Sequence, residues 1–117
     1  MKTDIFVIGN SHFSAGYAAA LAGYGLKVEE MRTMSTAHAL LNAGVTPDTI
    51  IIDMKGKADE VNKFAEFIRF DIHDAQMIII VIAADQREID HAYIHGASVA
   101  VKRPTSPEEL INILRQR

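Results

Sequence analysis

Apolar residues along the chain fall into two alternating patterns: short unbroken runs, and stretches in which they recur every three or four positions. The runs suit strands buried on both faces of a parallel sheet, and the spaced stretches suit amphipathic helices. Ile5-Phe6-Val7-Ile8 is the first run, closed by Gly9-Asn10-Ser11. Spacing predicts a helix over residues 13–24, with Phe13, Tyr17, Leu21 and Tyr24 on one face. Ser11 is its expected N-cap, and Gly23 and Gly25 mark its end. Residues 26–31 read as an edge strand, Val28 inward and Lys27 and Glu29 outward. Thr33 or Ser35 caps a short helix through Ala37, Leu40 and Leu41, stopped by Gly44.

Ile50-Ile51-Ile52 is the next buried run, and Asp53 closes it. After a loop holding Lys55 and Lys57, Asp59 is the expected cap of a helix with Val61, Phe64, Ala65 and Ile68 on its stripe. Residues 77–82 form the fourth run, ended by Ala83-Ala84-Asp85, and a helix over 86–95 follows until Gly96. Residues 98–102 form the last strand, before Arg103-Pro104. Ser106 caps a final helix with Pro107 at its first position and Glu108 and Glu109 in its first turn. Strict strand–helix alternation predicts an α/β fold: a (βα)5 doubly wound parallel five-stranded sheet with right-handed crossovers.

The length of 117 residues fits one domain, residues 1–117, with one core. Apolar residues make up 49% and charged ones 23%, an ordinary globular balance. A formal charge of -3 supplies no basic field for nucleic acid. The absence of cysteine removes disulfide and thiolate chemistry. The start of the chain lacks a signal peptide's charged and apolar regions, and no run approaches the ~18 apolar residues of a membrane span. A cytoplasmic protein without membrane partners is the expectation.

Asp53 stands at the carboxyl end of a buried strand, where open α/β sheets gather ligands and chemistry. It is a candidate acceptor, metal ligand or base, and the structural alternative is a carboxylate that caps a turn. The Gly9–Gly16 stretch lies between strand and helix, where phosphates often bind, yet it has neither Walker A nor Gly-x-Gly-x-x-Gly spacing. His91 and His95 stand at i and i+4, a chelating spacing without a third ligand, so a solvated helix face reads better. No catalytic triad or paired carboxylates emerge, and an enzyme is not expected.

The element order, with Asp48-Thr49-Ile50-Ile51-Ile52-Asp53 and the Gly96-Ala97…Arg103-Pro104 ending, resembles the receiver domain of bacterial response regulators over essentially the whole chain. The resemblance implies a CheY-like, flavodoxin-like sheet of order 2-1-3-4-5 and makes Asp53 the phosphoacceptor candidate. It also shows what has changed. Gly9 and Asn10 stand where the family carries an acidic pair, and Ala83 (or Ala84) where it carries Thr or Ser. Arg103 stands on the family's Lys, with Lys102 one place early and facing away, and Ala100 on its aromatic switch position.

Asp53 and a neutral Asn10 make a poor Mg²⁺ cage, so no cofactor beyond weak Mg²⁺ is expected. Arg103, Lys55 and Lys57 are candidate replacement charges. Restoring the acids with Gly9→Asp and Asn10→Asp is expected to strengthen Mg²⁺ binding. Asp53→Asn, free of an acidic cluster, is expected to cost within about 1 kcal/mol, and a large loss would mean that Asp53 holds a structural pair with Arg103. The implied function is a stand-alone atypical receiver, or pseudo-receiver, acting in two-component signal transduction through protein contacts. The alternatives are a working phosphorelay receiver phosphorylated on Asp53, and a small flavodoxin-like ligand-binding or electron-transfer protein using the Gly9–Gly16 loop. Expected partners are a histidine kinase or downstream effector, and a second copy through helix 4, strand 5 and helix 5. That face holds Gln86, Arg87, Asp90, Tyr93, Lys102, Glu108, Glu109, Arg115 and Arg117. Tyr93 either anchors the contact or packs on the sheet with Ile89.

Overall fold

The computed structural model describes residues 3–116; Met1 and Lys2, and Arg117 of the expected contact face, lie outside the described residues. Its elements are β1 (Ile5–Gly9), α1 (His12–Ala22), β2 (Val28–Met31), α2 (Met34–Asn42), β3 (Thr49–Asp53), α3 (Ala58–Glu66), β4 (Ile78–Ala83), α4 (Gln86–Ile94), β5 (Val99–Lys102) and α5 (Pro107–Arg115). All strand pairs are parallel, in the order β2-β1-β3-β4-β5. Strand alternation sends Phe6, Ile8, Ile50, Ile52 and Ile79 into a layer under α2, α3 and α4. The intervening Ile5, Val7, Ile51, Ile80 and Ile82 face α1 and α5. The unbroken isoleucine runs are thereby explained, because β1, β3 and β4 are covered on both faces.

Local chemistry mostly fixes the helix boundaries as expected. Thr33, Asp85 and Ser106 accept hydrogen bonds from the backbone N–H three residues on, at 3.3, 2.9 and 3.2 Å. Asp59 does not cap α3: Lys57 holds the cap position, and Asp59 and Glu60 lie in the first turn, where the helix dipole favours negative charge. Ser11 holds the N-cap place of α1 without a side-chain cap bond. β2 begins at Val28, two residues later than the run suggests.

Two departures are larger. Tyr17 and Leu21 are buried, but Phe13 and Tyr24 are each 58% exposed, so the predicted stripe of α1 is buried only at its centre. A π-helical turn over Phe67–Asp71 extends α3. It carries Arg69 to the amino-terminal end of the sheet, where the guanidinium donates to the carbonyls of Gly96, Asp74 and Met77 and to Ser98 Oγ. Burial pulls the Arg69 pKa below its ordinary value, against the opposing pull of Asp74. Gly96 suits its place over that side chain: its φ is +116°, and a Cβ would come within 2.9 Å of Arg69 Cγ. The opposite end of the sheet is left for the candidate site.

Candidate functional site

β1 and β3 pair in register so that Gly9 lies beside Asp53 at the carboxyl end of the sheet. Asp53 is 3% exposed, and Arg103, one residue beyond β5, donates from Nε to its Oδ1 at 2.8 Å. Arg103 is aimed there by its own backbone, whose N–H donates to the Ala83 carbonyl at 2.7 Å and extends the β4–β5 pairing by one step. Lys102, opposite Ala83 in that register, is exposed and does not share the site. Ala83 is buried and presents only a methyl group. Asp53, Gly9, Ala83 and Arg103 are therefore brought together.

The other positions are deployed differently. The Asn10 side chain is a clamp between loops: Nδ2 donates to the Lys55 carbonyl at 3.1 Å, and Oδ1 accepts from the Lys55 N–H at 3.2 Å. Lys57 lies 3.6 Å from Glu60 on its own helix, and both are well exposed. Gly9 has no room for a side chain. A Cβ there would collide with Ser14 Cβ, because Ser14 is buried against it and bonds the Ser11 carbonyl. The gain of Mg²⁺ affinity expected from Gly9→Asp with Asn10→Asp is thus opposed by a steric clash. Mg²⁺ wants an octahedral oxygen shell. Gly9 offers no donor, Asn10 is committed to Lys55, and one Asp53 oxygen is committed to Arg103. The residues present do not fit the metal.

Asp53 does hold the structural pair with Arg103 under which a larger cost of Asp53→Asn was expected, so the small cost is revised upward. Among the described residues the other Asp53 oxygen, Oδ2, makes no hydrogen bond.

Tyr17 is a member of the site that its helical spacing disguised as core. Its hydroxyl donates to the Thr105 carbonyl at 2.7 Å and locks α1 to the segment after Pro104. Burial pushes its pKa above the ordinary 10.0, helped by the Asp53 charge and opposed by Arg103. Phe13, Tyr17, Pro104 and Thr105 wall a cavity of about 90 Å³ that Asp53 and Arg103 complete. No signal in the sequence pairs Tyr17 with Thr105, since that contact spans 88 residues.

Ala100 is buried in β5, and an aromatic residue reaches it from elsewhere: its N–H donates to the Tyr93 hydroxyl at 3.0 Å. Tyr93, 49% exposed, thus leans from α4 onto the edge strand while keeping an open face. Of the spaced histidines, His95 pairs with Glu66 of α3 at 3.3 Å and His91 is exposed. Among the described residues no group of three or more His, Cys, Asp or Glu is placed to hold a metal. No described helix is long and apolar enough to cross a membrane.

A five-stranded parallel sheet of this order, with its site at the carboxyl ends of β1, β3, β4 and β5, defines the flavodoxin-like receiver fold. Solved structures bear this out: the chain's neighbours are CheY-like response regulator receiver domains. The chemotaxis response regulator CheY4 of Vibrio cholerae is 18% identical, with a TM-score of 0.80 over 99% of this chain and 98% of that one. A LuxR family DNA-binding response regulator from Silicibacter pomeroyi is 27% identical, with a TM-score of 0.75 over 97% and 88% of the two chains. An orphan response regulator of H. pylori is 16% identical, with a TM-score of 0.77 over 97% and 94%. No protein-family model and no curated protein matches the sequence.

Proposed function

We propose that this chain is an atypical receiver: a cytoplasmic, non-enzymatic signalling module that acts through protein contacts, without cofactor beyond weak Mg²⁺ at most. The observation that carries the reading is the 2.8 Å pair between Arg103 and Asp53 in a site with no second carboxylate. Phosphoryl transfer needs charge neutralised at the moving group and donors placed around it. A neutral Gly9, a diverted Asn10 and the methyl of Ala83 supply neither. The fold supports contacts through α4, β5 and α5 with a histidine kinase, a downstream effector or a second copy. Exposed Tyr93 and Ile94 support an apolar element on that face, and Lys102, Glu108, Glu109 and Arg115 give it both signs of charge.

A second reading, phosphorylation of Asp53, is favoured by one feature: Oδ2 makes no hydrogen bond among the described residues while Arg103 stands beside it. Incubation with acetyl phosphate, with and without Mg²⁺, followed by intact mass measurement, separates the two. An unchanged mass under both conditions is expected. Stoichiometric phosphoryl uptake that disappears in Asp53→Asn would establish the second reading instead.

A further inference from the structure

Helix α1 has no Asp, Glu, Lys or Arg anywhere in His12–Ala22, yet much of it faces solvent. A helix apolar all round is normally buried all round. Here the open side consists of Phe13, Ala15, Gly16, Ala19 and Ala22, with His12 at its start and Tyr24 just beyond its end. A Cβ added at Gly16 meets nothing within 4 Å, so the middle of this face is a smooth, open surface. Small residues at the centre let a second helix approach closely, within the lower end of the ordinary ~8–10 Å spacing.

The charges beside this face select its partner. α5 packs next to α1 in the same layer and runs in the same direction. Phe13 and Tyr17 share a cavity wall with Pro104 and Thr105 just before α5, the mid-helix Tyr17 hydroxyl bonding the Thr105 carbonyl, and the Arg115 guanidinium lies 5.6 Å from the Tyr24 ring at the other end. Exposed Glu108 and Glu109 therefore flank the Phe13 end of α1, and exposed Arg115 flanks the Tyr24 end.

We infer that this face binds a second copy of the chain, with the two α1 helices antiparallel about a two-fold axis. That rotation keeps both α5 helices on the same side, so Glu109 of each copy meets Arg115 of the other. Gly16 and Ala19 lie about the axis, and each Phe13 points toward the Ala22–Tyr24 end of its counterpart. A two-fold axis along the helices would instead put the two α5 helices on opposite sides and leave these charges unmatched. The contact is isologous, as a closed dimer requires. Its centre on α1 lies apart from α4 and β5, although it shares Glu109 and Arg115 of α5 with the α4–β5–α5 face, and it does not rest on the receiver reading.

Sedimentation velocity over a dilution series tests the inference. Wild type is expected to dimerise, and Ala19→Arg or Gly16→Glu to be monomeric with an unchanged circular dichroism melt, since both positions face open solvent. Ile94→Arg on α4 should still dimerise. Glu109→Arg should weaken the dimer roughly tenfold through two symmetric repulsions, and adding Arg115→Glu should restore it. Because the natural chain has no cysteine, Ala19→Cys should cross-link to itself under mild oxidation and Ile94→Cys should not. A monomeric wild type at the highest soluble concentration, a dimer that survives Ala19→Arg, or one lost in Ile94→Arg would each overturn the inference. An unaltered dimer in Glu109→Arg would overturn the antiparallel arrangement.

Discussion

Asp53 and Arg103 depend on each other unequally. Asp53 is 3% exposed on its side chain and Arg103 20%, so the carboxylate has less access to compensating water. Arg103→Ala strands a buried charge and is expected to cost about 3 kcal/mol, whereas Asp53→Asn leaves a guanidinium that can rehydrate and costs about 1–2 kcal/mol. Urea unfolding of both single variants and of the double variant measures this. The double variant should be more stable than Arg103→Ala alone, which is the sign of a shared interaction. Gly9 is legible only in part from sequence: the missing acid is evident, but its replacement by the body of Ser14 is not. Gly9→Asp should therefore destabilise without gaining Mg²⁺ affinity by calorimetric titration, and Ser14→Gly in the same chain should recover part of the loss. Tyr17 gives the site a pH signature. Below pH 10.0 the phenol is protonated in folded and unfolded chains alike, and its hydrogen bond to Thr105 contributes fully. Above that, the unfolded chain ionises first, so stability falls as pH rises through the raised folded pKa. Absorbance titration of the tyrosinates should show a late step, and Tyr17→Phe should remove it.

At the scale of elements, the isoleucine runs announced β1, β3 and β4 because a strand buried on both faces leaves no polar position to confuse the period. Thr33 and Ser106 were readable as caps, since the capping chemistry is local to three residues, whereas Asp85 was read only as the end of the β4 run. Contacts that join distant segments were not readable in the same way. The Arg69 cluster depends on a π-helical turn that no periodicity encodes, and the exposure of Phe13 depends on how α1 is tilted over the sheet. The candidate site was legible as a list of positions, of which Gly9, Asp53, Ala83 and Arg103 lie together while Asn10 and Ala100 are turned to other partners. Its wiring was not, because Asn10 to Lys55 and Tyr93 to Ala100 are choices of side-chain direction. Tyr93 shows the consequence for an element. β5 is an edge strand, and the Tyr93 hydroxyl satisfies the N–H of Ala100 while part of the ring stays open. Tyr93→Phe should cost about 1 kcal/mol and hasten hydrogen exchange at the Ala100 amide, with other β5 amides little changed.

For the molecule as a whole, a switch needs two states that its ligand tells apart. A phosphoryl group at Asp53 would have to bias α4 and β5 through whatever lies between, and the intervening side chains are small. Ala83 has no hydroxyl to be drawn toward the site, and Ala100 has no ring to move between exposed and buried positions. Tyr93, the aromatic that does reach β5, is tied to the Ala100 backbone by a 3.0 Å hydrogen bond rather than to the site. The Arg103–Asp53 pair already occupies the position from which a signal would start. A ligand without differential interaction between two states shifts nothing, however tightly it binds. We therefore expect the proposed protein contacts through α4, β5 and α5 to form equally well with and without a phosphodonor. The measurement is sedimentation and amide hydrogen exchange of wild type and Asp53→Ala, each with and without acetyl phosphate. Matching sedimentation and matching protection of α4 and β5 within each pair are expected. Association or altered protection confined to wild type with the phosphodonor would sink this expectation, and would show that coupling runs through the backbone pairing of Arg103 with Ala83 rather than through side chains.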